Sequence, residues 1–144
     1  MRLATPMPAL AGATEWLGGE PTLEVGRVTL VHFWAVSCHI CHETMPAVLR
    51  LRDEYRPRGL QVVAVHMPRM EEDTDVLRVQ REVERYGIDQ PCAMDNQHAI
   101  ATAFSNEFAP AFFIFGPDGL LKFRAAGDKG FEKVESKLQE ALGL

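Results

Sequence analysis

The chain has 144 residues, of which 47% are hydrophobic and 24% charged, and a net charge of -5 at pH 7. That length suits one domain, residues 1–144, with a full hydrophobic core. The acidic balance argues against nucleic-acid or anionic-membrane partners, since either calls for a clustered basic face.

The densest basic stretch, Arg50, Arg52, Arg56 and Arg58, is interrupted by Asp53 and Glu54 and reads as a solvated helix face. Three cysteines, two closely spaced and one alone, do not make a disulfide framework. They suit a reducing compartment in which one pair cycles and the third stays a thiol. The start, Met1-Arg2-Leu3-Ala4-Thr5-Pro6-Met7-Pro8, has no apolar signal region, and no run is long enough to span a bilayer. The expectation is a soluble, cytoplasmic, monomeric protein, although an exported relative without its leader would read the same.

Residues 1–26 are a mixed lead-in rich in Pro and Gly. Val28-Thr29-Leu30-Val31-His32-Phe33-Trp34 is β-branched and aromatic and predicts a buried strand. Beyond Cys38 the period turns helical, with Met45, Val48 and Leu49 on one face and an end near Pro57 and Gly59. Leu60-Gln61-Val62-Val63-Ala64-Val65-His66 predicts a second buried strand. Val76, Val79, Val83 and Tyr86 share a helical face that Gly87 stops. Pro91 to Met94 reads as a short strand. Asn96 is placed to cap a short helix carrying Ala99, Ile100, Ala103 and Phe104. Ala111–Phe115 and Leu120–Arg124 flank Gly116-Pro117-Asp118-Gly119, the signature of a hairpin. Phe131, Val134, Leu138 and Leu142 form the stripe of a last helix. The early strands need a parallel pair with a helical crossover, and the hairpin adds antiparallel strands. The fold class is therefore α/β: a mixed central β-sheet flanked by helices on both faces, with a short N-terminal extension.

Cys38-His39-Ile40-Cys41 sits where the first strand ends and a helix begins. The thiolate is the nucleophile of disulfide exchange, and a helix N-terminus offers it unpaired N–H groups and the positive end of the dipole. Cys38 is expected to be the attacking and more exposed sulfur, and Cys41, one turn on, the resolving one. Pro46 cannot donate to the carbonyl of His42 and is expected to kink the helix.

The stretch Phe33-Trp34-Ala35-Val36-Ser37-Cys38-His39-Ile40-Cys41 resembles the Phe-Trp-Ala-x-Trp-Cys-x-x-Cys segment of thioredoxins, and Met45-Pro46 is similar to the TlpA/ResA branch. The Pro-Met-Pro start, the His-Phe-Trp-x-x-Ser-Cys-His-x-Cys core and the Val-Ala-Val-His-Met-Pro segment resemble the YkuV type of small bacterial thiol–disulfide oxidoreductases over nearly the whole chain. The resemblance implies a thioredoxin fold and a thiol–disulfide oxidoreductase, and the cytoplasmic reading adds the expectation that it acts as a reductant. It implies no cofactor beyond the redox-active cysteine pair and no metal. Substrates would be disulfide-bearing proteins or small thiols, and electrons would come from a donor such as a thioredoxin-type reductase system. It also implies a cis peptide at Ala109-Pro110, packed on the cysteines, where the backbone of Ala109 pairs with an extended substrate.

His32 stands where thioredoxins carry a buried Asp beneath the second cysteine, so it is a candidate to take the Cys41 proton, with a core histidine as the alternative. Thr44 replaces the helix Glu of TlpA/ResA relatives, and Glu43 is read as solvent-facing. His39 either supports the Cys38 thiolate or points into water. Trp34 is expected to flank the cysteines. Cys92 is read as a buried structural thiol, and His66 and His98 as scaffold.

Three rival readings use the same residues. Cys38-His39-Ile40-Cys41-His42 also matches the c-type haem attachment string, with His42 as the axial ligand. A metal-binding module would use Cys38, Cys41 and His42 or His39, but lacks a second ligand pair. A peroxiredoxin-like peroxidase wants Pro and Thr or Ser ahead of its reactive cysteine, where this chain has Val31 and Ala35.

Overall fold

β-Branched and aromatic residues in short runs give strands buried on both faces, because successive side chains point to opposite sides of a sheet. The computed structural model, which describes residues 1–144, follows that rule closely. Strands β1 (Glu15–Leu17), β2 (Thr29–Trp34), β3 (Gln61–His66), β4 (Cys92–Met94), β5 (Ala111–Phe115) and β6 (Leu121–Ala126) form one sheet in the order β1-β4-β3-β2-β5-β6. β2, β3 and β4 run parallel, while β1, β5 and β6 are antiparallel to their neighbours. In β2, Val31 and Phe33 enter one core with Val63, Val65, Phe104 and Phe113. Leu30 and Trp34 face the other side.

That second side is covered by α1 (His39–Tyr55), α2 (Val76–Tyr86) and α5 (Val134–Leu142), through Met45, Leu49, Val79 and Leu138 among others. α3 (Ala99–Ala103) and the lead-in residues Met7, Leu10, Trp16 and Leu23 cover the first side. The register pairs Trp34 with His66 and Phe33 with Ala111. The carboxyl ends of the central strands β2 and β3 and the start of β5 therefore meet at one end of the sheet, where α/β folds carry their sites.

Several sequence expectations are corrected. The lead-in contains β1 and a bridge from Pro6 to Leu120, held because Thr14 and Met7 donate backbone hydrogen bonds to Met94 and Gly119. The final helix is two: the stripe breaks at Glu132–Lys133, so Phe131 closes α4 (Gly127–Phe131) and Val134 opens α5. Arg52 is not solvated. It is buried, and Nη1 donates to the Gly87 carbonyl at 3.0 Å and to Gln90 Oε1 at 2.8 Å. Arg50 and Arg56 are exposed or nearly so, and pair with Glu54, Glu135 and Asp89.

Asn96 does not cap α3. The fully buried Asp95 does, accepting from the Ile100 and Ala101 N–H groups at 2.9 and 2.8 Å, while Asn96 Nδ2 donates to the Thr74 carbonyl. A carboxylate at a helix start satisfies orphan donors that water cannot reach. Asp95→Ala is expected to lower unfolding stability by about 2–4 kcal/mol, because it leaves two buried N–H groups unpaired. Asn96→Ala is expected to cost about 1 kcal/mol or less. Urea denaturation of both variants checks the ranking; equal losses would remove Asp95 as the cap.

Candidate active site

The last residue of β2, Trp34, passes into a tight turn in which the Cys38 N–H donates to the Ala35 carbonyl at 3.0 Å. α1 starts immediately afterwards, and Cys38 is its N-cap. Its sulfur accepts from the Cys41 N–H at 3.1 Å, in the place a Ser or Asp oxygen usually takes. Cys38 and Cys41 are joined as a disulfide with Cα atoms 5.2 Å apart. The expected difference in exposure is not present in this oxidised form: Cys38 is 2% and Cys41 1% exposed. The cause is the loop before β5, which lies over the pair and brings the Ala109 carbonyl oxygen to 3.4 Å from Cys38 Sγ. Ala109–Pro110 is a cis peptide. Asn106, buried, holds that loop by donating to the Phe108 carbonyl at 2.8 Å and accepting from the Phe108 N–H at 3.4 Å.

The turn itself is pinned from behind. The Val36 N–H donates to His66 Nε2 at 3.1 Å, so a neutral His66 carries its hydrogen on Nδ1. The Val36 carbonyl accepts from His42 Nε2 at 2.7 Å, which leaves His42 Nδ1 to accept from the Tyr86 hydroxyl. Ser37 Oγ donates to Asp73 at 2.6 Å. Met67 N–H closes the strand end on the Trp34 carbonyl at 2.8 Å. Trp34 packs in one cluster with both cysteines, and its ring meets that of His66 edge-on at 4.9 Å.

Each residue singled out in the sequence now has a place. His39 is exposed and pairs with Glu43 at 2.8 Å, one turn on, so it points into water. Pro46 lies inside α1 at an exposed position, and the helix continues through it to Tyr55. Thr44 Oγ1 turns back onto the Ile40 and Cys41 carbonyls. Cys92 is fully buried in the cluster that holds the disulfide, and burial pushes its thiol up to about 12. His42, the ligand the haem reading needs and one of the two histidines open to the metal reading, has both ring nitrogens engaged within the protein.

His32 is buried beneath α1 with its Nε2 against Gln90 Nε2 at 2.9 Å. Gln90 Oε1 accepts from Arg52, so its amide nitrogen is the group that faces His32 and donates to it. Burial, with Arg52 adding to it, lowers the imidazole to about 3. With its acceptor nitrogen occupied and its cation so disfavoured, His32 is a poor proton acceptor. The relay expected of it gives way to the core-histidine alternative. Two supporting residues escaped the sequence reading, Asp73 and Asn106, and His42 entered it only as a ligand in the rival readings. Asp73 lies in an acidic run that looks like surface, and nothing in its spacing links it to Ser37.

The mixed sheet, the cysteine pair at the start of α1 and the cis-proline loop above it define a thiol–disulfide oxidoreductase of the thioredoxin fold. The chain belongs to the AhpC/TSA family, which matches residues 21–124. It is 43% identical over 145 residues to the thiol–disulfide oxidoreductase YkuV of Bacillus subtilis, covering 99% of this chain and 97% of that one. It is 29% identical to part of protein DipZ of Mycobacterium bovis, spanning 94% of this chain and 20% of DipZ. A thioredoxin-like protein solved in the oxidised form superposes with a TM-score of 0.91 at 42% identity, over 99% of this chain and 98% of that chain.

His66 shares the fate of His32: burial lowers it to about 4, with Asp73 opposing. Both are neutral in the folded protein and take up a proton on unfolding below the ordinary value of 6.5. Their contribution to stability is complete above pH 6.5 and is lost as pH falls towards 4 and 3. Each is expected to steepen the acid loss by up to about 1.4 kcal/mol per pH unit in that window. Urea unfolding at pH 7, 6 and 5 checks it. His32→Asn is expected to remove about one proton from the slope, and an unchanged slope would contradict the buried neutral state.

Proposed function

We propose that the protein reduces disulfides, with Cys38 as nucleophile and Cys41 as resolving thiol. In the reduced protein the Cys38 thiolate attacks a substrate disulfide, forms a mixed disulfide and expels one substrate thiolate. The Cys41 thiolate then attacks Cys38 Sγ, forms the Cys38–Cys41 disulfide and releases the second substrate thiolate. Two electrons pass from the cysteine pair to the substrate, and no cofactor enters the step. The order of attack is supported by the N-cap: the Cys41 N–H aimed at Cys38 Sγ, with the helix dipole behind it, favours a Cys38 thiolate.

The observation that carries the direction is His39. A cation between the cysteines would stabilise the thiolate and make the pair oxidising, but this ring is turned to water and paired with Glu43. Extended segments bearing a disulfide are the proposed substrates, lying against the backbone of Ala109 and Pro110 beside the exposed Ile40 and Phe108. A thioredoxin-type reductase system is the proposed donor, acting on a monomer. The cytoplasmic setting rests on the cysteine usage; no helix is long and apolar enough to cross a membrane.

Cys38→Ser is expected to abolish reduction of insulin disulfides, and Cys41→Ser to accumulate mixed disulfides visible by mass spectrometry. Alkylation of the reduced protein at limiting reagent is expected to label Cys38 first; labelling of Cys41 first would reverse the roles. The reduction potential of the pair, measured against glutathione, is expected near the thioredoxin value of about -270 mV. A value near about -120 mV would make the protein an oxidant instead.

A further inference from the structure

Asp73 is a fully buried carboxylate on a surface turn, Glu71–Thr74, whose other acidic residues, Glu71 and Glu72, are exposed. Burying a charge is costly unless it is hydrogen-bonded and paired, so its partners matter. One oxygen, Oδ2, accepts from Ser37 Oγ at 2.6 Å and from the Arg69 backbone N–H at 2.9 Å. The other, Oδ1, has no hydrogen bond and meets only Arg78 Nη1, at 3.5 Å. Arg78 is itself 40% exposed, so much of its charge is spent in water. His66, the remaining titratable group beside Asp73, is buried and uncharged. The carboxylate is therefore incompletely neutralised, and it is tied to the residue next to Cys38.

We propose that Asp73 is a positioning residue for disulfide exchange: through Ser37 it fixes the turn that carries Cys38, and it sets a buried carboxylate against the residue that precedes that sulfur. Two consecutive residues of the turn, Val36 and Ser37, are held by His66 and Asp73, from β3 and the turn that follows it. The other charged or titratable groups around the cysteine pair are the His39–Glu43 pair, in water, His42, held by Val36 and Tyr86, and Cys92, a buried thiol that burial keeps protonated. None of them places a fixed cation against Cys38. The N-terminus of α1 favours its thiolate and Asp73 opposes it, and the balance keeps the pair reducing. The proposal deepens the reductant reading, and it is tested separately from it: the wild-type potential tests the direction, and the shift between variants tests Asp73.

Asp73→Asn keeps the shape and an acceptor for Ser37 but removes the charge. At pH 8 it is expected to lower the Cys38 thiol pKa, read from thiolate absorbance at 240 nm. It is also expected to shift the equilibrium with glutathione about tenfold towards the dithiol, about 30 mV for the two-electron couple. Arg78→Gln, at a half-exposed position on α2, leaves Asp73 less neutralised. It is expected to shift both readouts a few-fold in the opposite direction. A purely structural role for Asp73 would change the unfolding midpoint and leave both readouts in place. If folded Asp73→Asn has the wild-type thiol pKa and equilibrium constant, the proposal is overturned. If Asp73→Asn does not fold, Arg78→Gln decides: movement towards the disulfide supports the proposal, and wild-type values overturn it.

Discussion

The hydrogen bond from the Cys41 N–H to Cys38 Sγ ties the chemistry of this protein to its fold. It exists only if α1 begins at Cys38, directly where β2 leaves the sheet. A cap normally contributes about 0.5–2 kcal/mol through a hard oxygen acceptor. Here a sulfur takes that place, a weak acceptor in the disulfide and a stronger one as a thiolate. The helix start is thus better satisfied when the protein is reduced and ready to attack. The same helix is long enough, at 17 residues, to be fixed by its buried face along the sheet rather than by its first turn. A weak cap at one end is tolerated because packing holds the rest.

That packing is unusual in one respect. Beneath α1 runs a buried polar chain from Arg52 through Gln90 to His32. Arg52 also donates to the Gly87 carbonyl, the residue that ends α2. The chain therefore joins α1, the end of α2 and the centre of β2. Every member has a partner, which is the condition under which a buried polar network rigidifies a core instead of weakening it. Its cost appears at low pH, when His32 would have to charge. Its position matters for function: α1 carries both cysteines, and any tilt of the helix would move Cys41 relative to the cis-proline loop.

Much of this was legible in the residues. The 3.6-residue period after Cys38 placed α1, the β-branched runs placed β2 and β3, and the two cysteines one turn apart placed the site. These signals are local, and they concern the deeply buried elements where pattern and packing agree. What escaped was non-local. Asp95 caps α3 where the sequence suggested Asn96, because both side chains suit a cap and only the fold decides which one faces the free N–H groups. β1 was missed because three residues in a Gly- and Pro-rich lead-in carry no period, and only the exposed edge of β4 makes them a strand. Arg52 looked like surface among other arginines, yet it is buried by partners that lie 35 and 38 residues away in the chain. Asp73 was hidden in the same way among Glu71, Glu72 and Asp75.

Membership in the AhpC/TSA family leaves the peroxidase question to the site, since a fold hosts several chemistries. Val31 is an interior residue of the core and Ala35 is fully buried at the turn, so neither offers a hydroxyl beside the sulfur. The groups that do surround Cys38 are a backbone N–H from its own helix, a carbonyl from the loop above and a resolving cysteine one turn away. That last neighbour gives a mixed disulfide on Cys38 a resolving thiol within reach. A sulfur whose Cα lies 5.2 Å from that of its partner is built to be released from a mixed disulfide quickly. The arrangement favours turnover of disulfides over retention of an oxidised intermediate, and the turn held by His66, His42 and Asp73 keeps it so.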